Sequence, residues 1–389
     1  MRFQSRLRND MKHSLLALAL AGTLSVLSAG SAAAADVEVY GLIDLGLSYV
    51  HANPDVKNLS SKSKFSMENA TEFGSRFGIK GTEDLGSGFK AGFVLENGFN
   101  ADDGSLDQGG DLFGREAHLD LYTPYGAFSF GVMPVFGSTL GANGLFRAIE
   151  PLFANYTEGL GSGLTTASSW TRVDNAVSYV TPAFAGFTGY AQYAFKINGQ
   201  TAGREGSANA DRYAALALRY QGGALEGIIV ADTTMYGSHR ANSKHLDDGY
   251  TVTAGGNYTF DNGLKILAFG QWFDNMEINT KARAGVSLAG VEAMTGSYGF
   301  VDGFGLSLGA HYPVAGGTLK AQIAMRDMEN QDGVDFTRWI AGAGYDYPLS
   351  KRTSVYAMAG YSVEKIEKKN GEEAKPNGCE VTIGMVHRF

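Results

Sequence analysis

Short turns and long polar connections take turns along nearly all of this 389-residue chain, and the segments between them have a two-residue hydrophobic period. That period belongs to strands with one face in an apolar medium and the other in a polar one. In residues 37–45, Val37, Val39, Gly41, Ile43 and Leu45 are apolar or glycine, while Glu38 and Asp44 fall on the other face. Leu319, Ala321, Ile323 and Met325 stand opposite Lys320, Gln322 and Arg326, and Val355, Ala357, Ala359, Tyr361 and Val363 repeat the pattern. Strands of a soluble sandwich run ~5–6 residues; these approach the ~9–11 of a membrane-crossing strand.

The connections separate the two options. Short ones, rich in Gly, Pro, Asp and Asn, lie at 83–88, 123–127, 182–186, 221–224, 261–263, 313–317 and 349–352. Several follow an aromatic residue: Tyr122, Tyr220, Phe260, Tyr312 and Tyr347. Long polar connections lie near 51–72, 100–113, 134–171, 196–210, 235–248, 275–300, 328–336 and 366–379. Short turns at one membrane face, long loops at the other and aromatic girdles at both describe an outer-membrane barrel. With both termini on the short-turn side, seven short turns predict an all-β, transmembrane antiparallel barrel of about sixteen strands. A barrel of that size encloses an aqueous channel, whereas ~8 strands are filled by their own side chains. The last strand, 380–389, puts Val381, Ile383, Met385, His387 and Phe389 on one face, with Phe389 placed for the girdle.

The first 35 residues have the make-up of an export signal. Arg2, Arg6, Arg8 and Lys12 are followed by an apolar stretch at 15–27 and by Ala33, Ala34 and Ala35 before Asp36. Cleavage there is expected to leave 36–389 as the barrel domain. It removes four basic residues and one acidic residue, taking the formal net charge from −8 to −11. No later stretch approaches the ~20 apolar residues of a spanning helix. The acidic balance argues against a nucleic-acid partner. The single cysteine, Cys379, makes no internal bridge. His51, His118, His239, His245, His311 and His387 lack metal-site spacing, and no cofactor is expected. Gly305-Leu306-Ser307-Leu308-Gly309 matches a nucleophile motif that works only on a strand-to-helix turn. Here Phe304, Leu306 and Leu308 alternate as in a strand, so no enzyme is expected.

Residues 75–86, Ser75-Arg76-Phe77-Gly78-Ile79-Lys80-Gly81-Thr82-Glu83-Asp84-Leu85-Gly86, resemble the second strand and first turn of betaproteobacterial general porins, the Neisseria and Burkholderiales type. Val39-Tyr40-Gly41 is similar to their first strand. Arg172-Val173-Asp174-Asn175-Ala176-Val177-Ser178-Tyr179, with Pro182 and Phe184-Ala185-Gly186-Phe187, resembles their sixth strand and turn. Gly384-Met385-Val386-His387-Arg388-Phe389 is similar to their C-terminus. The resemblance implies a homotrimer in outer-membrane lipid and lipopolysaccharide, each barrel narrowed by an inward-folded third outer loop and passing small ions and hydrophilic solutes.

The matching loop is the longest connection, 134–171, and Glu150 and Glu158 are its candidate acidic members at the constriction. The facing basic cluster maps by motif onto Arg76, Arg115 and Arg172. Arg76 shares a face with Lys80, opposite Phe77 and Ile79; Arg172 shares one with Asp174 and Ser178, opposite Val173 and Val177. Simple alternation puts Arg115 with Ala117, Leu119 and Leu121 on the lipid side, unless a bulge at the strand start reverses it. A midplane arginine facing lipid costs ~2–4 kcal/mol, so these arginines are expected to face the lumen or snorkel to an interface. Modest anion preference is the expectation. The alternatives are a phospholipase-like barrel enzyme, with a lipid-facing serine beside a histidine, and an adhesin anchored by a barrel.

Overall fold

The computed structural model describes residues 36–389 apart from 70, 142–143, 153–163, 168–169, 198–202, 239–246 and 279–283. The expected export signal at 1–35 lies outside the described residues. Among those described, eighteen strands form one antiparallel sheet. They are β1 (Asp36–Asn53), β2 (Lys62–Asn69), β3 (Arg76–Gly86), β4 (Phe89–Gly98), β5 (Glu116–Thr123) and β6 (Gly126–Pro134). Next come β7 (Arg172–Val180), β8 (Phe187–Ala194), β9 (Arg212–Gly222), β10 (Leu225–Met235), β11 (Gly249–Thr259) and β12 (Lys265–Ile278). The last are β13 (Gly299–Val314), β14 (Gly317–Asn330), β15 (Asp335–Pro348), β16 (Thr353–Glu367), β17 (Glu373–Ala374) and β18 (Asn377–Arg388).

The sheet closes on itself. β1 pairs with β18 from Leu42↔Arg388 to Asn53↔Asn377, and on its other side with β2 and β3. β2 and β3 lie end to end along β1 and make one stave of the wall. β17 is a two-residue extension on β16, which itself pairs directly with β18. Sixteen staves remain, as the turn count predicts. The expected connection 51–72 is shorter than its polarity suggests. Lys62–Asn69 is strand, with Phe65 and Met67 exposed on the outer face and lysines, serines and Glu68 filling the other positions.

All seven short turns are where the sequence puts them. At the tip of the β13–β14 hairpin Ala315 and Gly316 both have positive φ, 51° and 83°, which matches the twist of the strands entering and leaving. Aromatic pairs sit at this end, including Phe187–Tyr220 at 4.8 Å and Tyr258–Phe260 at 4.8 Å between ring centroids. The chain terminus joins them: the Gly41 N–H donates to the Phe389 carbonyl at 3.1 Å, and the Phe389 N–H donates back to Gly41 at 3.0 Å. A side chain at position 41 would overlap the Phe389 ring.

Alternation sorts the wall into two faces. Leu119, Leu216, Ile229, Trp272, Ile323, Trp339, Val381 and Ile383 are exposed on the outside. Their neighbours Asp120, Gln271, Gln322, Arg338, Glu380 and Thr382 are buried on the other side. Ser307 is one of that set, mid-strand in β13 between exposed Leu306 and Leu308, and so is not on a nucleophile turn. The apolar core is therefore not between layers. It joins Val135, Phe136, Leu145, Phe146 and Ile149, from the connection after β6, to Val173, Tyr213, Ala215, Ile228, Val230 and Phe269 of β7–β12.

One irregularity shapes the interior. Between β2 and β3 the register against β1 slips, and residues 71–75 leave the wall as a tongue. Asp44 of β1 holds it: its Oδ2 accepts from the backbone N–H of Glu72 at 2.7 Å and of Phe73 at 2.6 Å. Its Oδ1 accepts from the Tyr356 hydroxyl at 2.7 Å. A carboxylate accepting from backbone N–H groups makes strong, charge-assisted bonds, which suits a segment with no ladder of its own.

Candidate functional site

Glu96 of β4 gathers two of the sequence-predicted basic residues. Arg115 Nε donates to its Oε1 at 2.7 Å, and Arg76 Nη1 stands 3.8 Å from the same oxygen. The Tyr40 hydroxyl donates to Oε2 at 2.9 Å. Lys80 lies over the Tyr40 ring, 5.1 Å from its centroid, and pairs with Glu38 at 3.2 Å. Arg76, Arg115 and Lys80 thus form one chain of contacts on the inner face of β1–β5. Arg115 is fully buried, the reverse of simple alternation. The paired strand begins only at Glu116, and Arg115 leaves the turn at 111–114, where alternation does not yet apply. Beyond it Glu116, His118 and Asp120 continue inward, His118 lying 3.2 Å from Glu116 and 2.9 Å from Asp120.

Arg172 belongs to a different stave. It starts β7, half-buried and in register with Pro134. The ladder slips beyond it, with Asn175 at a φ of 49°. This bulge breaks the alternation from which Arg172 was placed, and Val173, expected on the opposite face from Ser178, is buried beside Met133.

The connection after Pro134 touches inner-face residues of strands far from its own. Asn257 of β11 donates to the Ala148 carbonyl at 2.6 Å, and the Ala167 N–H donates to Gln271 of β12 at 2.7 Å. His311 of β13 bonds the Pro151 carbonyl. Leu152 clusters with Leu42, Tyr356, Met358 and Val386, and the tongue's Phe73 rests on this group. Glu150, expected at a solvated constriction, is only 2% exposed. Arg147, three residues earlier, is exposed, and its guanidinium lies 4.9 Å from the Phe73 centroid. Glu158 lies outside the described residues.

Sequence reasoning missed a second ionic cluster. Glu364 of β16 accepts from Arg326 of β14 at 2.9 Å and from Arg338 of β15 at 2.8 Å, and all three are fully buried. The Tyr298 hydroxyl donates to Glu364 at 2.6 Å. Arg338 also donates to the carbonyls of Leu164 at 3.3 Å and Ala284 at 2.7 Å, one from each of two outer connections. The only signal in the sequence was parity, which set Arg326 opposite the apolar face. Lys320, of the same face, pairs with Glu72 of the tongue at 3.3 Å and with Asp346.

One geometry bears on the enzyme alternative. On the outer end of β1 and β2 the Ser63 hydroxyl is 2.9 Å from His51 Nδ1 and accepts from Tyr49 at 3.1 Å. Cys379 is the cross-strand neighbour of His51. Among the described residues no carboxylate bonds this histidine, so nothing orients it as a general base. No metal-binding group is found among the described residues.

The comparisons with known proteins agree with this geometry. The family model of the Gram-negative porins matches residues 17–366. An outer membrane porin protein of Bordetella pertussis is 32% identical over 97% of this chain and 100% of its own length. Outer membrane porin protein 32 of Delftia acidovorans is 31% identical over 94% of this chain and 93% of its own. Among solved structures, the anion-selective porin from Comamonas acidovorans superposes with a TM-score of 0.67 at 26% identity, covering 91% of this chain and all of that one. A closed sixteen-stave barrel, polar inside and apolar outside, and similarity along almost its whole length make this chain a member of the Gram-negative porin family: an outer-membrane channel, and not an enzyme.

Proposed function

We propose that the channel passes small hydrophilic solutes and ions by passive diffusion, that the segment after Pro134 narrows it, and that it modestly prefers anions. The observation that carries the preference is the contrast within that segment. Its Glu150 is withdrawn from water, while its Arg147 is exposed. Arg76 is partly exposed on the inner face of β3, and Lys80 extends that row towards the short-turn end. Charge at the narrowest point, rather than the net charge of the chain, sets which ions pass. The anion-selective relative from Comamonas acidovorans supports the same sign. Residues 1–35 act in this reading as the export signal. The apolar outer wall meets lipid and lipopolysaccharide, and three copies assemble as in the family.

Planar bilayers test the proposal. Discrete open-channel currents are expected, with a reversal potential in a salt gradient of the anion sign. Replacing Arg76 and Arg172 by glutamine moves that potential towards cations. Cation selectivity in the parent, unchanged by these replacements, refutes the assignment.

A further inference from the structure

The segment after Pro134 rests on the wall in two places. Near its start Val135, Phe136, Leu145, Phe146 and Ile149 pack broadly on β7–β12. Further on, Pro151 and Leu152 reach the wall from β13 round to β1. His311 bonds the Pro151 carbonyl, and a side chain at position 309 would overlap the Pro151 ring. A Cβ at position 344 would come within 3.3 Å of Leu152. Leu152 is fully buried, in a smaller cluster with Leu42, Tyr356, Met358 and Val386, and Phe73 of the tongue packs against that cluster. From this geometry we infer that the tongue at 71–75 is a positioning element for the segment, with Phe73 as the residue that holds its Pro151–Leu152 part against the wall. The inference rests on the reading that this segment narrows the channel.

The tongue can act as a prop because it is itself held from three strands. Asp44 of β1 accepts from the Glu72 and Phe73 N–H groups, and its own N–H donates to the Ser75 hydroxyl at 3.1 Å. Arg76 Nε, at the start of β3, donates to the Gly74 carbonyl at 2.9 Å. Lys320 of β14 pairs with Glu72 at 3.3 Å. Hydrogen bonds to charged groups are the strong ones, so a stretch without a ladder is still fixed in place. The Phe73 ring then meets the segment twice, at the Leu152 cluster and at Arg147, whose guanidinium lies 4.9 Å from the ring centroid. Parts of a structure with fewer buried apolar contacts open first, which makes the smaller seat at Leu152 the one where an added contact matters.

Open-channel current, and the largest polyethylene glycol that enters the channel, are measured in planar bilayers. In Phe73→Ala the time spent in conductance levels above the parent's should rise by about tenfold or more, which corresponds to about 1.4 kcal/mol of lost holding. Larger polymers should also enter. Phe73→Leu keeps an apolar contact with Leu152 and should restore most of the parent record, a rescue that a general loss of barrel stability would not give. Asp44→Asn loosens the tongue and leaves Phe73 unchanged, so it should move both readouts the same way, and it carries the test if Phe73→Ala does not fold. Parent-like current levels and an unchanged polymer limit in folded Phe73→Ala, or failing that in Asp44→Asn, overturn the inference. The narrowing itself is tested separately. In a Cys379→Ser background, Arg147→Cys coupled to a thiol-reactive polyethylene glycol should cut the current whatever the tongue does. An unchanged current there undoes the narrowing reading, and the inference with it.

Discussion

Replacing Glu364 by glutamine keeps the shape of the side chain and removes its charge. The magnitude follows from the surroundings. Oε1 takes Arg326 at 2.9 Å, and Oε2 takes both Arg338 at 2.8 Å and the Tyr298 hydroxyl at 2.6 Å. An amide offers one acceptor oxygen, so one of these directions would face donor to donor. Both guanidiniums are fully shielded from water and lose this countercharge. Removing one partner of a buried ion pair costs about 3–5 kcal/mol. The ladders from β14 to β16 do not pass through these side chains and stay intact. The loss therefore falls on the cluster and on the Leu164 and Ala284 carbonyls that Arg338 holds. Equilibrium unfolding in urea from lipid vesicles should show Glu364→Gln destabilised by about that amount. Single-channel records should gain current noise as the two connections come loose. An apolar control, Arg326→Met/Glu364→Leu/Arg338→Met, should recover most of the stability, since no buried charge remains. A Glu364→Gln protein within about 0.5 kcal/mol of the parent, the range of ordinary surface changes, would refute the reasoning.

Other outcomes follow from the same geometry. Glu150→Gln should leave the reversal potential unchanged, because the carboxyl is out of water, whereas Arg76→Gln, at a partly exposed guanidinium, should move it towards cations; planar-bilayer measurements check both. Gly41→Leu should push the Phe389 ring out of its place and cost about 1–3 kcal/mol of overpacking, read as a lower thermal transition of the folded barrel. Leu119→Arg, on the lipid face of β5, should destabilise by about 2–4 kcal/mol if it lies near the midplane, measured by unfolding from vesicles.

The staves were legible because one face must match lipid and the other water, which writes a strict period into the chain. The turns were legible because their backbone angles demand particular residues, as at Ala315–Gly316. What escaped was wherever the chain departs from that period. β2 and the tongue at 71–75 hid inside what read as a loop, since polar lysines and serines mask the strand pattern of β2. Alternation alone pointed Arg115 outward because it had not yet begun there, and a bulge at Asn175 upset the face expected for Val173. The shared face of Arg76 and Lys80 was visible in the alternation, but the acid that Arg76 meets, Glu96, comes from the next strand, which no local pattern names. The Glu364 cluster needs three strands in register, and the burial of Glu150 depends on packing between segments distant in sequence.

The pairing of β1 with β18 carries a consequence for how the molecule comes into being. The two strands that seal the wall stand at opposite ends of the barrel sequence, with Gly41 clasping Phe389. Until the last strand is made, no arrangement of the others can satisfy both borders, and each border is a row of open hydrogen-bonding groups that invites other chains. Joining distant ends costs little in free energy, growing only with the logarithm of the loop, but contacts so far apart form slowly. The ring can therefore close only when β1 and β18 meet, and the paired Gly41 and Phe389 backbones clasp that seam.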